Sequence, residues 1–223
     1  MRARMVFSLL VAVALAGLAP APVGAADEAV SPAEERIFND RHLDGLPGAA
    51  TLRYDYRLRE AGRPPVEDEV VLTSRQEAQR GRVVQLDYLH GERHLALPEV
   101  EQAVSNPLIL HFLEADVRSM RRRLGGQENY FRRRIRLALA RSAQLRGVTV
   151  SHGGKEVAAT QVLIRPYEDD PLQERFKGMA RKAYLFTLSP KVPGGVYELR
   201  TVVEETAGSG APLLEETLTL RAE

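Results

Sequence analysis

The chain has no cysteine among its 223 residues. That absence removes disulfides, thiolate metal sites, iron–sulfur clusters, a cysteine nucleophile and a lipidated N-terminal cysteine together. Lysine is nearly missing too, with four lysines against 27 arginines. The bias looks like coding preference, so an individual arginine is weak evidence of phosphate recognition. Beyond the N-terminus no run of eighteen apolar residues occurs, and the body of the chain therefore does not span a membrane as a helix. G-x-S-x-G, S-x-x-K and H-E-x-x-H are all lacking, and no glycine-rich phosphate loop follows a strand. What remains is an ordinary globular composition, 44% hydrophobic and 27% charged, which excludes collagen-like, low-complexity and wholly disordered chains.

Residues 1–25 read as a secretory signal: Arg2 and Arg4 precede the apolar run Met5 to Leu18, and Val23, Gly24 and Ala25 supply small residues for peptidase access. Cleavage after Ala25 leaves 198 residues carrying 29 basic and 30 acidic groups, a net charge of −1. The expected location is the periplasm, and a chain this long can rely on its core, burying roughly 70% of its unfolded surface.

The first element after the signal is a short helix, opened by the capping box Ser31-Pro32-Ala33-Glu34 and ending near Asn39, followed by a linker to residue 49. From Ala50 the period changes to two, with Leu52, Tyr54, Tyr56 and Leu58 on one strand face and Arg53, Asp55 and Arg57 on the other. Strands are expected at Asp68 to Thr73, Arg82 to Leu89 and His94 to Leu97. A helical hairpin then spans about 106–144, capped at Ser105-Asn106-Pro107 and interrupted by Gly125-Gly126. Strands resume at Val148 to Ser151 and Glu156 to Arg165, around the turn His152-Gly153-Gly154-Lys155. Asp170-Pro171 caps a short helix, and strands at Ala183 to Leu188, Val196 to Glu205 and Leu213 to Arg221 finish the chain.

Mostly antiparallel strands interrupted once by a helical hairpin predict an α+β fold over residues 50–223, with a curved sheet or half-barrel covered by the hairpin. With its export signal, this element order over roughly residues 50–221 resembles the periplasmic lipoprotein carriers of the Lol type. The resemblance implies a bent antiparallel sheet lidded by helices over an apolar cavity; it carries over no functional residue.

The hairpin holds the strongest chemical signal. Ten arginines and one acid, Glu128, lie within residues 118–146. On a helical projection Arg118 and Arg122 lie opposite the apolar side of the first helix, and Arg133 and Arg136 opposite that of the second. Such a face suits an anionic membrane surface or an acidic partner. The alternative is a solvated face neutralised by internal acids such as Glu114, Glu198, Glu204, Glu205, Glu215 and Glu216. The inner sides offer Phe112, Leu113, Val117, Phe131 and Ile135 as candidate contacts for an apolar ligand. Asp116 falls inside the apolar stripe of the first helix and Arg134 beside Phe131 on the second, so a pair between them, or between Asp116 and Arg123, is expected.

Other clusters point elsewhere only weakly. His90, Glu92 and His94 flank one turn, and His111 and Glu114 are spaced i, i+3, but neither group has the spacing of a complete metal site. Asp170 in Glu168-Asp169-Asp170 reads as a helix cap rather than one of a catalytic carboxylate pair. No metal, cofactor or nucleic acid is expected, the last because export separates the chain from it. Two function classes remain: a non-enzymatic carrier or envelope-assembly factor for a lipid or lipidated protein, and a hydrolase whose residues are scattered over the sheet.

Overall fold

A computed structural model describes residues 29–204 and 212–222; the expected export segment lies outside them. Pro32–Glu34 forms α1, with the Ser31 hydroxyl and Glu34 carboxylate making the expected capping box, and the chain continues as a π-helical turn over Glu35–Asn39. β1 (Ala49–Glu60), β2 (Val66–Glu77), β3 (Gly81–Tyr88) and the two-residue β4 (Leu95–Ala96) form an antiparallel meander. The hairpin follows as α2 (Leu108–Leu124) and α3 (Glu128–Arg141), joined where Gly125 and Gly126 both adopt positive φ. Next come β5 (Gln144–His152), β6 (Lys155–Ile164), α4 (Gln173–Phe176), β7 (Ala183–Leu188), β8 (Val196–Val203) and β9 (Leu214–Leu220).

All nine strands join one open antiparallel sheet in the order β4-β3-β2-β1-β9-β8-β7-β6-β5, so the fold is α+β with a curved sheet. The last strand is central: β9 pairs with β1 on one side and β8 on the other, fusing two meanders into one surface. Cross-strand partners share a face. The pairs Tyr54–Val70, Val70–Tyr88, Leu199–Leu218 and Phe186–Leu199 therefore bury one side under the helices. The other side is a charged ladder that includes Arg53–Glu69, Arg59–Glu215 and Arg200–Glu215.

Both helices present their apolar stripes to the sheet, and the N-terminal segment packs into the same core through Ala33, Ile37 and Leu43. β5 begins at Gln144, earlier than the expected Val148. Its first four residues are exposed, so no burial alternation marked them as strand; backbone pairing with β6, helped by the Arg146 guanidinium donating to Gln161 Oε1, holds them there. Asn106 is the residue that caps α2. Its Oδ1 accepts from Leu108 N–H at 3.0 Å, while its Nδ2 donates to Gly194 O at 2.9 Å and to the Tyr54 hydroxyl at 3.3 Å. That approach requires glycine at 194, where φ is +70° and a Cβ would meet Leu52 Cδ1 at 2.5 Å.

Candidate functional site

Period-two alternation at the end of the chain places Leu214, Glu216, Leu218 and Leu220 on the core face of β9, and at β7 it places Lys182, Tyr184 and Phe186 there. A lysine just before β7 and a glutamate within β9 are thus carried under the hairpin at core-facing positions whose neighbours along the same face include Phe186, Leu214 and Leu218. α2 brings Asp116 down onto them. Asp116, Lys182 and Tyr184 are each 1% exposed or less. Lys182 Nζ donates to Asp116 Oδ1, the Tyr184 hydroxyl donates to Asp116 Oδ2 at 2.5 Å, and the Tyr167 hydroxyl lies 3.2 Å from that of Tyr184. The pair satisfies its charges internally, as burial demands.

The expected Asp116–Arg134 pair does not form. Arg134 Nε lies 2.8 Å from Asp170 Oδ2, and the alternative partner, Arg123, is held by Glu60 at 2.7 and 3.1 Å. An angle on a projection says that a charge faces inward, but not whether it meets the neighbouring helix or the sheet. Asp116 meets the sheet. Asp170 caps the turn before α4 as expected, accepting from Leu172 N–H at 2.7 Å, and also receives the Tyr130 hydroxyl at 2.6 Å.

Beside this buried pair a cleft of about 590 Å3 opens between α2, β1, β9 and the segment joining β3 to β4, within the roughly 300–1,000 Å3 of small-ligand sites. Leu58, Val66, Leu89, Leu95, Ala115 and Leu214 supply its apolar lining. Its polar lining is arginine-rich: Arg63, Arg93, Arg118, Arg122 and Arg123 face Glu60, Glu92 and Glu216. Glu60 is committed to Arg123 and lies 3.5 Å from Arg63. Arg93, Arg118 and Arg122 have no carboxylate partner among the described residues. Tyr56 and Glu216 face each other in the lining. Burial first, then the negative charge of Asp116, pushes the Glu216 carboxyl above its ordinary range, and burial likewise raises the Tyr56 hydroxyl.

The candidate residues separate on this geometry. Phe112, Leu113, Val117 and Ile135 are packed in the core at 1–7% exposure and form no part of the cleft lining. Phe131, also buried, borders a second recess of about 530 Å3 at the hairpin tip, with Leu124, Tyr130, Leu172 and Phe176. The hairpin interior is a filled core rather than an open cavity, because α2 and α3 lie directly on the sheet.

Arg118, Arg122, Arg133 and Arg136 are all exposed and have no carboxylate partner among the described residues. Their neighbours are neutralised: Arg121 by Glu128, Arg123 by Glu60, Arg132 by Glu114 and Glu128. Of the acids expected to neutralise the stripe, Glu114 does so; Glu198 and Glu215 lie on the opposite face of the sheet, and Glu205 is outside the described residues. His90 binds Asp68 at 2.6 Å and His94 contacts Leu89 O at 3.1 Å; among the described residues no three His, Cys, Asp or Glu side chains converge.

Lys182, Tyr184 and the cleft itself escaped the sequence reading, which placed Glu216 only among the acids that could neutralise the arginine stripe. A signal existed for Lys182 and Glu216: each occupies the core-facing parity of its strand, among positions such as Phe186, Leu214 and Leu218. The cleft had none, since it is assembled from residues 56 to 216. No family model matches the chain, and no curated protein does. Among solved structures, the crystal structure of the Mycobacterium tuberculosis lipoprotein LppX is similar over 78% of this chain and 86% of that one, at 9% identity and a TM-score of 0.30. The likeness is architectural and brings no residue or ligand with it.

Proposed function

We propose that this chain is an exported, non-enzymatic carrier or envelope-assembly factor that takes an anionic amphiphile into the cleft between α2 and the sheet. One observation carries the reading: the cleft combines an apolar lining with three arginines, Arg93, Arg118 and Arg122, that form no ion pair with a carboxylate of the described residues. Guanidinium groups recognise carboxylate or phosphate heads, while Leu58, Leu89 and Leu214 provide a surface for an acyl chain. Arg133 and Arg136, outside the cleft, add a basic face suited to an anionic membrane. Export follows from the tripartite segment over residues 1–25. A catalytic alternative finds less support, because the most chemically suggestive cluster, Asp116–Lys182–Tyr184, is sealed from solvent.

The test separates the two basic regions. Binding to phosphatidylglycerol vesicles is expected to fade between 0.1 M and 1 M salt, as the Debye length falls from about 10 Å to about 3 Å. Arg133→Glu/Arg136→Glu should abolish vesicle binding and spare uptake of a fluorescent fatty acid. Arg118→Glu/Arg122→Glu should weaken uptake at least about tenfold, the worth of one charge-assisted hydrogen bond. Absence of uptake by the folded wild-type protein would overturn the carrier reading, and N-terminal sequencing that finds Met1 retained would overturn export.

A further inference from the structure

The sheet is open, and its two edges differ. At one end β3 is covered: the two-residue β4 pairs with Asp87 and Tyr88, Val100 bridges to Val84, and Ala103 N–H donates to Arg82 O at 2.9 Å. Short strands and covering loops are how native proteins close a sheet edge. β5, at the other end, is nine residues long and pairs with β6 without a register shift. It holds no proline, lysine, aspartate or glutamate, and its one arginine, Arg146, turns its guanidinium toward β6 and Gln161 Oε1, at 2.9 and 2.6 Å. Among the described residues nothing covers β5, and the charges and kinks that guard other edges are lacking.

The turn that follows fixes which backbone groups of β5 are free. Gly153 and Gly154 are its two central residues, both at positive φ, so His152 and Lys155 flank it as a hydrogen-bonded pair. Hydrogen-bonded and non-hydrogen-bonded pairs then alternate along the ladder. Val150, Val148, Arg146 and Gln144 bond to β6, whereas Leu145, Gly147, Thr149 and Ser151 aim their N–H and C=O groups away from it. Ala158, opposite Thr149, agrees: its carbonyl points to the far side of β6, where it accepts from the Ser189 hydroxyl at 2.7 Å. All four outward residues are exposed, and among the described residues no hydrogen bond reaches their backbone groups.

We propose that β5 is a homodimerisation edge, pairing antiparallel with β5 of a second copy of this chain about a two-fold axis at Val148. In that register Leu145 faces Ser151 of the second copy and Gly147 faces its Thr149. These are hydrogen-bonded pairs, so every outward N–H and C=O of the edge is met. Val148 faces Val148 and Arg146 faces Val150, in the alternate pairs where side chains lie closest, and no like charges stand opposite. Gln144 faces His152, whose Nδ1 has no hydrogen-bond partner within the single chain. Gly147 fits the same picture. A Cβ there would meet nothing within 4 Å, so packing inside the protomer does not call for glycine, whereas glycine inside a strand suits the close approach of another backbone. This self-complementarity favours a second copy over an unrelated peptide. Because the dyad of an antiparallel pair stands perpendicular to the sheet, both helical hairpins, with the exposed Arg133 and Arg136, lie on one side of the joined sheet.

A nine-residue edge is small beside the roughly 1,200–2,000 Å2 of a standard interface, so the dimer is expected to be reversible, with a Kd of about 10 μM. Sedimentation equilibrium of protein expressed from the full chain, over about 1–200 μM, measures it. Thr149→Pro removes an N–H that points away from β6, sparing the protomer's own ladder, and should raise the Kd at least about tenfold. Val148→Lys and Val148→Asp each set two like charges face to face and should each be monomeric. Their equimolar mixture should dimerise, because only this register brings position 148 of one copy onto position 148 of the other. Melting curves confirm that each variant is folded. A wild type that stays monomeric throughout, a dimer that survives both Thr149→Pro and Val148→Lys, or a mixture no more associated than its components overturns the proposal.

Discussion

Replacing Lys182 with methionine keeps the length of the side chain and removes its charge, leaving the Asp116 carboxylate under the hairpin with the Tyr184 hydroxyl as its remaining donor. Both members of the pair are 1% exposed, so water does not substitute for the missing ammonium. Breaking a buried pair from one side costs about 3–5 kcal/mol. For a chain of this size each kcal/mol moves the melting temperature by roughly 2–4 °C, so Lys182→Met should melt about 6–20 °C below wild type. The double variant Asp116→Leu/Lys182→Met removes both charges and should recover most of that loss, because an apolar pair of similar volume is often neutral or stabilising in such a site. Urea unfolding at pH 7 followed by circular dichroism measures both. The reasoning is refuted if Lys182→Met lies within about 1 kcal/mol of wild type, or if the double variant is no more stable than the single.

Two further outcomes test other parts of the fold. Glu216→Gln should flatten the pH dependence of stability. Because the Glu216 carboxyl is raised above its ordinary 4.5, the folded wild type retains a proton that the unfolded chain releases; wild type therefore gains stability as pH falls through the folded value toward 4.5, and the glutamine variant does not. At pH 8 the variant should be the more stable of the two, and a wild type without that slope would contradict the burial of this acid. Gly194→Ala should destabilise by about 2–5 kcal/mol, combining a left-handed backbone with overpacking against Leu52. Gly153→Ala, at φ +57° in open space, should cost about 1–2 kcal/mol, and equal melting temperatures for the two variants would remove the packing argument.

The elements of this fold were legible in the sequence because each is specified locally. Alternation at Leu52, Tyr54 and Tyr56, the capping box at Ser31, Asp170 before its short helix, and the paired glycines at 125–126 and 153–154 all act within a few residues, so reading the chain in order recovers them. Antiparallel class followed from the same evidence. The inward position of Asp116 was also legible, since a helical period alone defines it.

Tertiary structure decided everything that depends on which faces meet. β9 pairs with β1 across more than 150 residues of chain, and that pairing, invisible to any local period, carries Glu216 beside Tyr56 and builds the cleft. Lys182 rather than Arg134 reaches Asp116 because α2 rests on the sheet, leaving α3's arginine to the Asp170 loop. The hairpin's apolar residues were correctly read as inward. Whether that interior was an open cavity or a packed core turned on the distance between helix and sheet, and close packing filled it, moving the site to the helix flank where Arg118 and Arg122 border apolar side chains.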